Sequence, residues 1–137
     1  MRVYLVYTDV STHHGFAYHP GLASIGALLL QQGHDVKLGY ITTVEQYQDI
    51  VDAVVDFETD VVGFTTVETQ FIHVQRLAAK IKAQRDCVLI CGGTHMTLAP
   101  ESIMEEASRT ADKALEEGGP EPAGLNPGDG GGGLSDE

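Results

Sequence analysis

Between Asp60 and Thr69 the chain reads Asp-Val-Val-Gly-Phe-Thr-Thr-Val-Glu-Thr, and the change of character halfway along limits the fold more than any other stretch. The first half is an apolar, β-branched run too short for a helix and without clean alternation. That is the pattern of a strand buried on both faces of a parallel sheet. The second half turns to hydroxyls and one carboxylate, after which the apolar spacing becomes helical from Phe71. A strand that runs into a polar loop and then a helix puts that loop at the strand's carboxyl end, the edge where open α/β sheets bind ligands.

The same unit recurs along the chain. Arg2 to Tyr7 is a strand by composition and leads into the long polar loop Thr8 to His19. Pro20 suits the first position of a helix, and Leu22, Ile25, Leu28 and Leu29 continue at helical spacing to a stop at Gly33. Asp35 to Ile41 is a second strand. Thr43-Val44-Glu45-Gln46 fits a capping box, and Tyr47, Ile50, Val51, Val54 and Val55 share one face of the helix behind it. Cys87 to Cys91 is a fourth strand with the exit loop Gly92 to Ala99, and Pro100 opens a further helix to about Glu117.

This alternation predicts a doubly wound, flavodoxin-like (Rossmann-like) α/β fold, a parallel sheet with right-handed crossovers and the strand order 2-1-3-4. No stretch after Ile103 has strand character, so the fifth strand usual in such sheets is missing and the fourth becomes an exposed edge. The expected division is an α/β domain over 1–104, a helix extension over 105–117, and a disordered Gly/Pro-rich acidic tail over 118–137, which holds too little apolar surface to offset its ordering entropy.

Charge narrows the partners. The net charge of −12 argues against nucleic acid and anionic membranes, but −5 of it falls in residues 1–104 (11 acidic, 6 basic) and −7 in residues 105–137 (9 acidic, 2 basic). No apolar run approaches a membrane span and the first residues do not read as a signal peptide, so the expected location is cytoplasmic. Cys87 and Cys91 read as buried core thiols.

Three loops gather at the predicted carboxyl edge. Thr8 to His19 supplies Thr8, Asp9, His13 and His14; the loop after the third strand supplies Thr65, Thr66, Glu68 and Thr69; the loop after the fourth supplies Gly92, Gly93, His95 and Thr97. The hydroxyls serve either a ligand or helix caps, and Gly92-Gly93 either admits a ligand or simply turns. His13, His14 and His95, with Asp9 or Glu68, form the one combination that could ligate a metal ion as in a hydrolase. A dinucleotide fingerprint is absent, because the loop after the first strand holds a single glycine. Cys87-x-x-x-Cys91 lies in a strand, which cannot wrap an iron–sulfur cluster.

In order, His19-Pro20-Gly21-Leu22-Ala23-Ser24-Ile25, Gly33-His34-Asp35-Val36, Asp60-Val61-Val62-Gly63-Phe64-Thr65 and Gly92-Gly93-Thr94-His95-Met96-Thr97 with Pro100-Glu101 resemble the N-terminal cobalamin-binding domain of cobalamin-dependent radical S-adenosylmethionine enzymes, over residues 2–104. The resemblance implies a corrin held on the carboxyl edge, its nucleotide tail lowered beside the third and fourth strands. It also implies a partner radical S-adenosylmethionine domain, and a module that is not catalytic alone. Cobalamin-dependent methionine synthase and its relatives carry Asp-x-His-x-x-Gly after the first strand, where the His ligates cobalt. Here Asp9-Val10-Ser11-Thr12-His13-His14-Gly15 has a different spacing, as the radical branch implies, and His13 or His14 is the candidate cobalt ligand. Competing readings are a flavodoxin-like domain that binds a nucleotide or other small molecule in the same crevice, and a regulatory or interaction domain without a ligand. Pairing of two copies through the fourth-strand edge is a further expectation.

Overall fold

The structure is a computed structural model that describes residues 1–11, 19–101, 103 and 105. Four strands, β1 (Arg2–Thr8), β2 (Asp35–Ile41), β3 (Val61–Thr65) and β4 (Val88–Gly92), form one sheet in the order β2-β1-β3-β4. Every neighbouring pair is parallel, as the strand-helix alternation predicts. The register sets Tyr7 beside both Tyr40 and Thr65, and Thr65 beside Gly92, so the strands deliver their exit loops to one edge at one level.

Helix α1 (Pro20–Gln31) packs on one face of the sheet, and α2 (Tyr47–Asp56) and α3 (Phe71–Gln84) pack on the other. α1 starts with Pro20 in its first turn and with His19 Nδ1 accepting from Leu22 N–H at 3.1 Å. It stops at Gly33, whose φ of 88° lets its N–H reach Leu30 O while His34 N–H reaches Leu29 O. Before α2, Gln46 Oε1 accepts from the Thr42 and Thr43 N–H groups, the reach-back half of the expected capping box, across a turn of 3₁₀ helix over Val44–Gln46.

The main core lies on the α2/α3 face, where Tyr4, Val6, Ile41, Val62 and Phe64 of the sheet meet Tyr47, Ile50, Val51, Val54, Val74, Leu77 and Ile81. The α1 face is thinner: Val3, Leu5 and Leu22 are buried there with Tyr7, Leu29, Val36 and Val61 half-buried around them.

Three expectations need correction. β3 is not buried on both faces, because Val62 and Phe64 are buried while Val61, Gly63 and Thr65 are half-buried; among the described residues the α1 side of the sheet is packed by α1 and the other side by α2 and α3. The full apolar stripe of α1 does not reach the core, for Leu22 is buried but Ile25 is 51% and Leu28 58% exposed. The stretch Gly92 to Ala99 is not only a loop, since Thr94–Leu98 forms a short helix, α4. Helix resumes at Pro100 and Glu101, and Ile103 is buried. The extension over 105–117, apart from Glu105, and the tail over 118–137 lie outside the described residues. Among the described residues no helix is long and apolar enough to cross a membrane.

Candidate functional site

Parallel strands converge their carboxyl ends, and the side chains found there come from β1, β3 and β4. Thr8 closes β1, is 2% exposed, and its Oγ1 has no hydrogen-bond partner among the described residues. A buried hydroxyl without a partner carries a desolvation cost that a ligand acceptor or donor would remove. Asp9 is also buried; its N–H holds Ile41 O at 2.9 Å and its Oδ2 accepts from the Tyr40 hydroxyl at 2.9 Å. Tyr40 stacks on Tyr7 at 5.3 Å between ring centroids, and Tyr7 meets the His19 ring edge-on at 5.1 Å. Burial, and then the Asp9 hydrogen bond, raise the pKa of Tyr40; burial, and then the Asp9 charge, raise that of Tyr7, so both phenols stay protonated. Ser11, at φ 61°, occupies the left-handed region as the chain leaves this edge.

At the end of β3, Thr66 is buried, its N–H donating to Gly92 O at 3.0 Å and its Oγ1 to Val67 O at 2.9 Å. Thr65 is half-buried, while Glu68 and Thr69 are exposed in a 3₁₀ turn over Glu68–Gln70. Gln70, which ends that turn, is 3% exposed and spans back to the first loop: its Oε1 accepts from Val10 N–H at 2.9 Å and its Nε2 donates to Val10 O at 3.1 Å. One amide side chain thereby satisfies both backbone groups of Val10 and fixes the β1 exit to the β3 exit.

The β4 exit closes on β3 more tightly. Gly93 has φ 108° and ψ −179°, and a Cβ there would lie 2.5 Å from Thr66 O and 2.8 Å from Thr66 N. Only glycine fits on both counts. Gly92 differs, for a Cβ built on it meets no described residue within 4 Å. The two glycines therefore differ: Gly93 makes the turn, while at Gly92 no contact with a described residue requires glycine. The His95 ring packs on Phe71 at 5.1 Å, and Thr97 Oγ1 donates to Gly93 O at 3.1 Å.

Of the twelve positions singled out in the sequence, Thr8, Asp9, Thr65, Thr66, Gly92, Gly93 and His95 gather at this edge with Thr97 just beyond, and Glu68 and Thr69 stand on its rim. His13 and His14, and with them any cobalt or other metal ligation by these residues, lie outside the described residues. Among the described residues no group of three His, Cys, Asp or Glu side chains is placed to hold a metal ion, so His95 gains no such company from Asp9 or Glu68. Gln70, Tyr40 and His19 were not legible as site residues. The one available signal for Gln70 was an amide one residue before an apolar helix, which also reads as an ordinary helix start.

The edge offers a broad ligand a buried hydroxyl without a partner among the described residues, and a tie from Val10 to Gln70 that joins the β1 exit to the turn before α3. A separate groove lined by Asp60, Lys82, Asp86, Cys87, Val88 and Leu89 opens at the opposite, amino-terminal edge and shares no residue with it.

No curated protein matches the chain. The B12 binding domain matches residues 8–123, which spans β1's last residue, all three loops and every later element. The chain thus belongs to the B12-binding domain family, and its cofactor is cobalamin.

Proposed function

We propose that this chain is a module that holds and orients cobalamin for a radical S-adenosylmethionine domain carried by a longer relative. The observation that carries the site assignment is the buried Thr8 hydroxyl at the carboxyl end of β1, which has no hydrogen-bond partner among the described residues. In this reading Thr8, Thr65 and the main chain at Gly92 meet the cofactor's polar groups, and Thr66 with Gly93 hold the floor beneath them. Asp9 is held in place by Tyr40, whose raised pKa keeps it a donor. Gln70 holds Val10 at the β1 exit against the turn before α3, so that tie need not form on binding. Cobalt chemistry belongs to the cofactor, and the protein contributes binding and orientation. The reading also includes a homodimer through the fourth-strand edge.

Titration of the purified chain with hydroxocobalamin, followed by gel filtration at visible wavelengths, tests the module. Colour is expected to travel with the protein. Retention lowered at least tenfold by Thr8→Val, with unchanged circular dichroism, supports the assigned edge. Retention unaffected by Thr8→Val overturns the role of Thr8, and no retention by a folded sample overturns the cofactor module. Substituting His13 and His14 then reports, through the cobalt absorption bands, whether either ligates the metal.

A further inference from the structure

The two edges of the sheet are guarded differently. β2 carries Asp35 and Lys37, and Lys37 Nζ reaches over the Phe57 ring at 4.6 Å. Charges on an edge strand oppose pairing with another chain. β4, Val-Leu-Ile-Cys-Gly, has no charge and no proline, and Val88 and Ile90 are 57% and 56% exposed.

The hydrogen bonds of β4 also fix which of its backbone groups face outward. Val88 N–H donates to Asp60 O at 3.0 Å and Gly92 O accepts from Thr66 N–H at 3.0 Å, so residues 88, 90 and 92 bond toward β3. Leu89 and Cys91, in alternation with them, direct their N–H and C=O groups to the free edge. The Cys87 carbonyl is already engaged by Lys82 Nζ, which, among the described residues of β4 and its approach, leaves Leu89 and Cys91 as the open pair.

We infer that two copies of the chain join antiparallel through β4 about a twofold axis at Ile90, so that their four-stranded sheets continue as one. This deepens the homodimer of the proposed function and rests on it. Leu89 and the partner's Cys91 exchange both N–H···O bonds in this register, as do Cys91 and the partner's Leu89. Ile90 faces its own copy across the axis, in the closer, non-hydrogen-bonded type of pair. Val88 meets Gly92, and Asp86 falls opposite Thr94, so no like charges oppose. Residues 106–137 contain no Val, Ile, Phe, Tyr or Trp, the residue types that favour strands.

Sedimentation equilibrium on the 137-residue chain reads the assembly, with Ile90→Lys and Ile90→Cys as the deciding variants. The expected mass is twice the chain's 14.7 kDa. Ile90→Lys sets two ammonium groups face to face and is expected to weaken the dimer at least tenfold, with circular dichroism unchanged. Ile90→Cys is expected to cross-link under mild oxidation at pH 8, and Val88→Cys is not. The native thiols do not compete: Cys87 is buried, and burial pushes Cys91 up to about 11. A strict monomer at high concentration overturns both the homodimer and the register. A dimer indifferent to Ile90→Lys and unlinked by Ile90→Cys overturns the register alone.

Discussion

Gly92 and Gly93 are adjacent and identical in the sequence, yet the structure asks different things of them. At Gly93 a side chain would need a left-handed φ and would overlap the Thr66 backbone. Gly93→Ala is therefore expected to cost about 1–3 kcal/mol, the usual range for forced backbone strain. At Gly92 no described residue lies within 4 Å of an added Cβ, so Gly92→Ala should stay within about 1 kcal/mol while reducing cobalamin retention. Urea unfolding beside the gel-filtration assay separates the two; equal stability loss at both positions would remove the distinction. Sequence alone could not make it, because φ and the distance to Thr66 depend on where β3 and β4 come to lie.

At the scale of elements, the four strands and three long helices were legible, since each carries its own period and its own stop signal. Pro20 and Gly33 bracket α1 to within two residues of Pro20–Gln31. What periodicity cannot convey is whether anything covers the stripe it reveals. Leu22 and Leu28 look equivalent on the α1 face, but one is 5% and the other 58% exposed. Leu22→Ala is expected to cost about 2–5 kcal/mol and Leu28→Ala to stay within about 0.5 kcal/mol, measured by chemical denaturation. Comparable losses at both would mean that α1 is covered along its whole stripe. The short helix α4 escaped notice for a related reason: its start is set by Gly93 against Thr66, a tertiary contact, while its own five residues carry no period.

At the scale of the whole molecule, the cores on the two faces join through the sheet, and a titratable pair sits where α2 meets α3. Tyr47 Oη and His73 Nδ1 share a hydrogen bond, and His73 has its pKa lowered by burial first and by the Arg76 charge second. A histidine whose folded pKa lies below 6.5 binds fewer protons folded than unfolded, so stability is complete above that value. It is lost as pH falls from about 6.5 toward the depressed folded value. Urea midpoints between pH 7.5 and 5 should decline on this account, and His73→Gln should flatten the decline. A slope unchanged by the substitution would assign the acid sensitivity to other groups.

The carboxyl edge was legible as three loops, and the family by an ordered set of short matches, but the tie that joins two of those loops was not. Gln70 is sixty residues from Val10 and bonds both its N–H and its C=O. In mechanical terms it acts as a crossbar: the exit of β1 and the first turn before α3 translate and tilt together. For a carrier domain, orientation imposed on the cargo would then be passed to α3 as rigid-body torque, along a helix that ends at the far side of the sheet.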